Sequence, residues 1–260
     1  MSFQAGPFEV VYSTEQAGSP GSLVTVTITC YKYGGLCLEA LDSLLTQTEP
    51  IFDLCIVDDR SPDDSLEVIG DWCARNAGVG RFGKVALLRH CINEGLSRAR
   101  NSAISWVTTP YTFILDADNL LYPRALEALR EGIEHSGCAM AYSLVEVFGG
   151  KRDIIGNSVW LPERFETGNY IDAMAMVRTE TLRDLGGYRV MPSRFGWEDY
   201  DFWCKMVDRG LRGCHVPEIL CRYRSHPQSM VNTGTRDFLS ARLAEAKADL
   251  EKHHKMKFRF

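Results

Sequence analysis

Four short apolar runs, separated by stretches with helical spacing, constrain this chain more than any other feature. Leu23–Thr29, Phe52–Val57, Val85–Arg89 and Tyr111–Leu115 are rich in β-branched residues and read as buried strands. Between them, Leu36–Gln47 sets Leu38, Leu41 and Leu45 on one helical face, and Leu96–Val107 reads as another helix. After the second run, Ser61 reads as an N-cap, with Pro62 in the first turn and Asp64 closing an S-x-x-D box. Leu66, Ile69 and Cys73 would be its buried stripe. Pro123 opens a further helix striped by Leu126, Leu129 and Ile133. This alternation implies an α/β fold, a mostly parallel sheet with helices on both faces. Ligands of such sheets bind beyond the carboxyl ends of the strands. Asp58-Asp59 and Asp116-Ala117-Asp118 stand at that edge.

After Gly132 the alternation loosens. Ala139–Phe148 and Tyr170–Val177 read as strands, Gly186-Gly187 as a turn and Tyr200–Asp208 as a helix stopped by Gly210. Cys214–Val216 and Ile219–Tyr223 give one or two more strands, and Asp237–Lys257 a last helix. The expected division is a lead-in over 1–22, a single domain over 23–235 and a C-terminal helix with a basic tail over 236–260. Within the domain, 23–120 would form a nucleotide-binding half and 121–235 an acceptor half. Lys252, Lys255, Lys257 and Arg259, with Phe258 and Phe260, suit a frayed end better than peripheral membrane contact.

A net charge of −5 argues against a nucleic-acid partner, whose footprint is a basic face. No apolar run approaches the about 18 residues of a membrane span, and Met1–Val10 has no signal-peptide pattern. Nine cysteines without a C-x-x-C pair read as small buried hydrophobes in a reducing, cytoplasmic setting.

Several motifs carry two readings each. Gly78–Gly83 spells G-x-G-x-x-G, but it follows a helix and leads into a strand, the reverse of a dinucleotide site. A connecting loop is expected. Asp116 and Asp118, at i and i+2, would share a side and suit Mg²⁺ or Mn²⁺; a solvated turn before Pro123 is the alternative. Asp58-Asp59-Arg60-Ser61 would hydrogen-bond a base or ribose, or merely cap a helix. In Trp197-Glu198-Asp199 a carboxylate would serve as general base or as N-cap. His226 would be a third metal ligand or a surface histidine.

Taken in order, the segments 26–31, 40–48, 56–63, 93–101, 113–118, 185–188 and 197–199 resemble family 2 glycosyltransferases of the GT-A fold. The resemblance covers residues 23–230. It implies an inverting transfer from a nucleoside-diphosphate-sugar, UDP-sugar favoured, to a hydroxyl of a saccharide or glycoconjugate acceptor, assisted by Mn²⁺ or Mg²⁺. By the same resemblance Thr29, Tyr31 and Asp59 would line the nucleotide pocket, with Asp58 beside them. Asn93 and Arg100 would shape the donor side. Asp118 would bind the metal, Asp116 the ribose or a metal-bound water with Ala117 between them, and His226 the metal or diphosphate. Asp199 would be the base, with Glu198 and Trp197 on the acceptor side. Lys32 departs from the asparagine common after the tyrosine, and Met191-Pro192-Ser193 replaces an acidic run. Two other readings are a sugar-nucleotidyltransferase, disfavoured by the lack of arginine in Cys30–Gly35, and a non-catalytic nucleotide-sugar-binding domain.

Overall fold

The computed structural model describes residues 3–15, 21–191, 196–229 and 236–260, without the side chains of 236–242. The first half runs β1 (Phe8–Glu15), β2 (Val24–Cys30), α1 (Gly34–Leu44), β3 (Phe52–Asp58), α2 (Ser65–Asn76), β4 (Phe82–His90), α3 (Leu96–Trp106) and β5 (Tyr111–Asp116). The second half runs β6 (Leu120–Leu121), α4 (Ala125–Ser136), β7 (Met140–Gly149), β8 (Asp153–Ile155), a 3-10 helix (Pro162–Glu166), β9 (Met176–Arg178), α5 (Thr179–Asp184), α6 (Glu198–Asp208), β10 (Gly213–Ser225) and α7 (Arg236–His253).

Both halves share one sheet, ordered β1-β4-β3-β2-β5-β9-β7-β10-β6, with β8 on β7. The pairs β4–β3, β3–β2 and β2–β5 are parallel, and so is β7–β10. Val26, Ile28, Leu54 and Ile56 pack with Cys37, Leu41, Ile69 and Cys73 of α1 and α2. Cys55, Val57, Ala86 and Leu88 pack with Ala99 and Ala103 of α3. The parallel strands are therefore apolar on both sides because each side is covered by a helix.

Four differences from the sequence reading have physical causes. The lead-in contributes an edge strand, β1, antiparallel to β4. The S-x-x-D box does not cap α2, which starts at Ser65. Ser61 Oγ instead accepts the Lys32 N–H at 3.0 Å, pinning the turn after β2 to the turn after β3. Most of Tyr170–Val177 is irregular and only Met176–Arg178 pairs. Asn169 Oδ1 accepts the Ile171 N–H (3.3 Å) and Asp172 Oδ1 the Met174 N–H (2.9 Å), local turns that compete with a ladder. The tail is not frayed: α7 ends at His253, and Phe258 is 2% exposed in a core cluster.

Gly78–Gly83 does connect α2 to β4. All nine cysteines are free; burial pushes the Cys73 and Cys221 thiols up to about 12, which keeps them neutral. Among the described residues, no helix is long and apolar enough to cross a membrane.

Candidate active site

The carboxyl ends of β2, β3 and β5 form one edge, where register sets Thr29 opposite both Val57 and Asp116. Neighbouring strand residues face opposite sides, and this separates Asp58 from Asp59. Asp58 lies on the α1 side, close enough to add to the upward push on the Cys37 thiol, and its Oδ2 accepts the Ser61 N–H at 3.1 Å. Asp59 faces the start of α3. Its Oδ1 accepts the Glu94 N–H (2.8 Å) and lies 2.6 Å from His90 Nδ1; its Oδ2 accepts the Gly95 N–H at 2.8 Å. Asn93 Nδ2 donates to the Asp59 carbonyl at 3.0 Å. These three contacts leave Oδ2 one lone pair for an outside donor. The partner His90, whose Nε2 is 2.8 Å from Ser102 Oγ, was not marked by any motif.

Tyr31 and Lys32 lie exposed beyond β2, the Lys32 ammonium 5.1 Å from the Tyr31 ring centre. Lys32 (φ 63°) and Arg60 (φ 61°) are the non-glycine residues in left-handed backbone among those described. Lysine thus occupies a conformation that asparagine adopts more readily.

Asp116 and Asp118 have different partners. Asp116 Oδ1 is 2.7 Å from Arg100 Nη2, and Arg100 Nη1 is 2.7 Å from Glu198 Oε1. The guanidinium is 2% exposed and lies 5.2 Å from the Tyr188 ring centre. Burial opposes its charge, but the two carboxylates more than offset that and raise its pKa. Arg100 thereby joins the β5 edge to the first turn of α6. Asn101, one residue on, holds the Tyr188 backbone through both amide atoms, at 2.7 and 2.8 Å. Gly187 (φ 68°) must lack a side chain because a Cβ would collide with Asn101 Oδ1.

Asp118 Oδ2 lies 3.0 Å from His226 Nε2. Topology makes that contact: β10 runs antiparallel to β6 with Cys221 opposite Leu121 and Arg222 opposite Leu120, so residues beyond β10 return to the Asp118 turn. Arg224 locks the junction, donating from its N–H to Asn119 Oδ1 (2.8 Å) and from Nε to the Asp118 carbonyl (2.9 Å). Tyr33 packs edge-on to the His226 imidazole at 5.6 Å. Burial and the charge of Asp116 raise the Asp118 pKa.

Across from this edge, Asp199 begins α6. Its Oδ1 accepts the Tyr200 N–H at 2.7 Å and its Oδ2 a hydrogen from Asn169 Nδ2 at 2.9 Å. Burial and the neighbouring Glu198 charge push its carboxyl well above the usual range, with Arg100 opposing them. Asp172 is close enough to add to that push. It is itself raised to about 7 by burial and by the charge of Asp116. Asp172 lies inside the expected strand Tyr170–Val177, where its only signal is a carboxylate in an apolar run, and Asn169 stands just before it after Gly168.

Residues 25–192 match the profile of glycosyl transferase family 2. The chain belongs to that family. The putative glycosyltransferase EpsE of Bacillus subtilis is 28% identical over 209 residues, 78% of this chain and 73% of its own. Among solved structures, Staphylococcus aureus TarS 1–349 in complex with UDP-GlcNAc superposes with a TM-score of 0.70 at 18% identity, covering 90% of this chain and 67% of that one. The mannosyltransferase PcManGT from Pyrobaculum calidifontis, in complex with GDP-Man and Mn²⁺, gives 0.62 at 19% identity, covering 88% of this chain and 64% of that one. At these identities the two structures establish the GT-A fold of the family 2 chain, a mixed α/β fold with a large, mostly parallel sheet.

A divalent cation fits this family 2 site through two side chains. Among the described residues, no three His, Cys, Asp or Glu side chains converge on one point. Asp116 spends Oδ1 on Arg100. Asp118 and His226 are a carboxylate and an imidazole in contact, and burial and the Asp116 charge raise the Asp118 pKa. Such a pair suits an ion that takes its remaining ligands from phosphate and water.

Proposed function

We propose that this chain moves a sugar from a nucleoside-diphosphate-sugar, UDP-sugar favoured, to a hydroxyl of a saccharide or glycoconjugate, with inversion and with Mn²⁺ or Mg²⁺. The carrying observation is the Asp118–His226 pair at the β5 edge, tied through Asp116 and Arg100 to the turn that bears Asp199. The UDP-GlcNAc bound to TarS and the GDP-Man and Mn²⁺ bound to PcManGT support a nucleotide-sugar donor and a metal.

In this reading Thr29, Tyr31, Asn93 and the open lone pair of Asp59 take the nucleoside. Asp118 and His226 hold the cation, which when bound supplies positive charge against the departing diphosphate. Asp116 holds Arg100 through Oδ1 and faces the ribose. Asp199 takes the proton of the acceptor hydroxyl, its raised pKa making it a stronger base than an ordinary carboxylate, while Glu198 and Trp197 border the acceptor. A retaining route would need a second carboxylate as nucleophile. Asp172 spends Oδ1 on the Met174 N–H, and no carboxylate is assigned the role of nucleophile. The free cysteines suit a reducing, cytoplasmic setting.

The test is thermal-shift binding of UDP, GDP, dTDP and CDP with and without Mn²⁺, followed by transfer assays. One nucleotide should stabilise the chain only with metal, and Asp118→Ala should abolish that shift while leaving the unliganded melting curve in place. A metal-dependent shift that survives Asp118→Ala removes this carboxylate from the metal site. Binding without any transfer would favour a non-catalytic domain, and consumption of a nucleoside triphosphate with a sugar phosphate would favour a nucleotidyltransferase.

A further inference from the structure

Residues 254–260 return along α6 and end beside its first turn, the turn that carries Trp197, Glu198 and Asp199. His254, its side chain 1% exposed, sits between two carboxylates of α6: Nε2 lies 3.0 Å from Asp201 Oδ1 and Nδ1 2.8 Å from Asp208 Oδ2. The Lys255 N–H donates to Asp208 Oδ1 at 3.0 Å. Phe258 is buried against Tyr200, ring centres 5.9 Å apart. Phe260 meets the Trp197 ring edge-on at 5.4 Å.

The same residues grip a second segment. The Arg259 N–H donates to the Glu166 carbonyl at 2.6 Å, and Arg259 Nε lies 3.0 Å from Glu166 Oε2. Glu166 closes the 3-10 helix, to which α6 also bonds through Tyr200 OH and the Phe165 carbonyl. Three residues on, Asn169 donates to Asp199 Oδ2. The tail therefore ties together the two segments that meet at the Asp199 carboxyl.

Packing alone does not account for all of it. Phe258 already fills the apolar space against Tyr200, and its burial is complete. Arg259 is exposed and meets Glu166, while the half-buried Phe260 meets Trp197 as well as Phe258 (5.7 Å) and Tyr200 (6.3 Å). A partly exposed ring adds little burial energy. It can nonetheless fix the direction of an aromatic neighbour, since edge-to-face pairs prefer a defined geometry.

We propose that residues 254–260 are a positioning strap for Asp199, with Phe260 setting Trp197 and so the acceptor side of the site. This rests on the glycosyltransferase reading above. A displacement of about 1 Å at a reacting group can cost about 10²-fold in rate, so a strap acting on base and acceptor leaves a kinetic signature distinct from a loss of folding.

The experiment compares the wild-type chain with Phe260→Ala, Phe260→Leu and His254→Gln. It measures melting temperature, Mn²⁺-dependent nucleotide affinity, donor hydrolysis without acceptor, and kcat/KM for the acceptor. Phe260→Ala should lower acceptor kcat/KM by at least about tenfold, within the range known for small misplacements, with melting temperature and nucleotide affinity held; Phe260→Leu should recover part of it. His254→Gln should lower both transfer and melting temperature. Wild-type acceptor kcat/KM in Phe260→Ala overturns the strap and leaves the glycosyltransferase reading standing. A wild-type chain that binds no nucleotide and transfers nothing overturns both.

Discussion

Asp199 and Asp201 lie two residues apart at the start of α6, and the protein treats them oppositely. Around Asp199 are the carboxylates of Glu198 and Asp172, with Arg100 as the buried basic counterpart. Around Asp201 are Arg189 Nε at 2.7 Å, Lys205 Nζ at 3.4 Å and His254 Nε2 at 3.0 Å. Burial acts on both and raises both. On Asp201 the His254 hydrogen bond and the Lys205 and Arg189 charges win and hold it at about 2, whereas on Asp199 the upward push wins. Sequence distance therefore says nothing about role here; local charge balance does. One side of α6 spends its carboxylate on folding, and the other keeps a carboxylate whose ionisation is costly and hence available for proton transfer.

The sharpest way to break this comparison is to neutralise each partner in turn. Asp199→Asn should lower transfer by about 10²–10⁴-fold, the usual contribution of a general base, with nucleotide binding retained and no loss of melting temperature. In the wild type, kcat should rise with pH through a limb above the ordinary carboxylate range, because the base works only when deprotonated. A limb near pH 4, or full turnover in Asp199→Asn, would remove Asp199 from the mechanism.

Asp201→Asn should do the reverse. Breaking a buried charge pair costs about 3–5 kcal/mol, which at about 2–4 °C per kcal/mol lowers the melting temperature by roughly 10 °C. The sign with pH follows from its depressed pKa. The stabilisation is fully present above the unfolded value near 4 and is lost as pH falls through the folded value of about 2. The gap between wild type and Asp201→Asn should close over that window, read by melting curves from pH 6 to pH 2. An equal gap at every pH would show that packing, not charge, sustains the strap side.

The first half of the chain was legible because its signals are local. β2, β3, α3 and β5 fall within a residue or two of the expected ranges, since a parallel strand buried on both faces is a continuous apolar run. Asp59, Asp118 and Asp199 were likewise marked by their positions at element ends. Their partners were not. His90 is 31 residues from Asp59 and reads as the end of a strand. His226 was marked, but its contact with Asp118 spans 108 residues and depends on how β10 returns beside β6. The tail misled because its lysines suggested solvent, while Phe258 and His254 find partners on α6 that no periodicity announces. Asp172 was hidden for a different reason. It makes a turn with the Met174 N–H inside the run expected as a strand, and Asn169 turns the chain just before it, so at Asp172 the pattern of a strand and the chemistry of a loop coincide.

Asp172 offers the smallest and most diagnostic test, because it has neither the cations of Asp201 nor an assigned proton to move. Its folded pKa, about 7 against an unfolded value near 4, means that its charged form is disfavoured in the fold. Stability is therefore unaffected below about pH 4, falls as pH rises from about 4 to about 7, and levels off above that. Removing the charge should help: in metal-free protein, Asp172→Asn should raise the melting temperature at pH 8 and leave it unchanged at pH 4. Added Mn²⁺ should shrink the gain, since a cation on Asp118 and His226 relieves the same repulsion that raises Asp172. A gain that persists at pH 4 would trace to packing instead. A gain at pH 8 that ignores Mn²⁺ would separate Asp172 electrically from the Asp118 pair and confine the excess negative charge to the turn around Asp199.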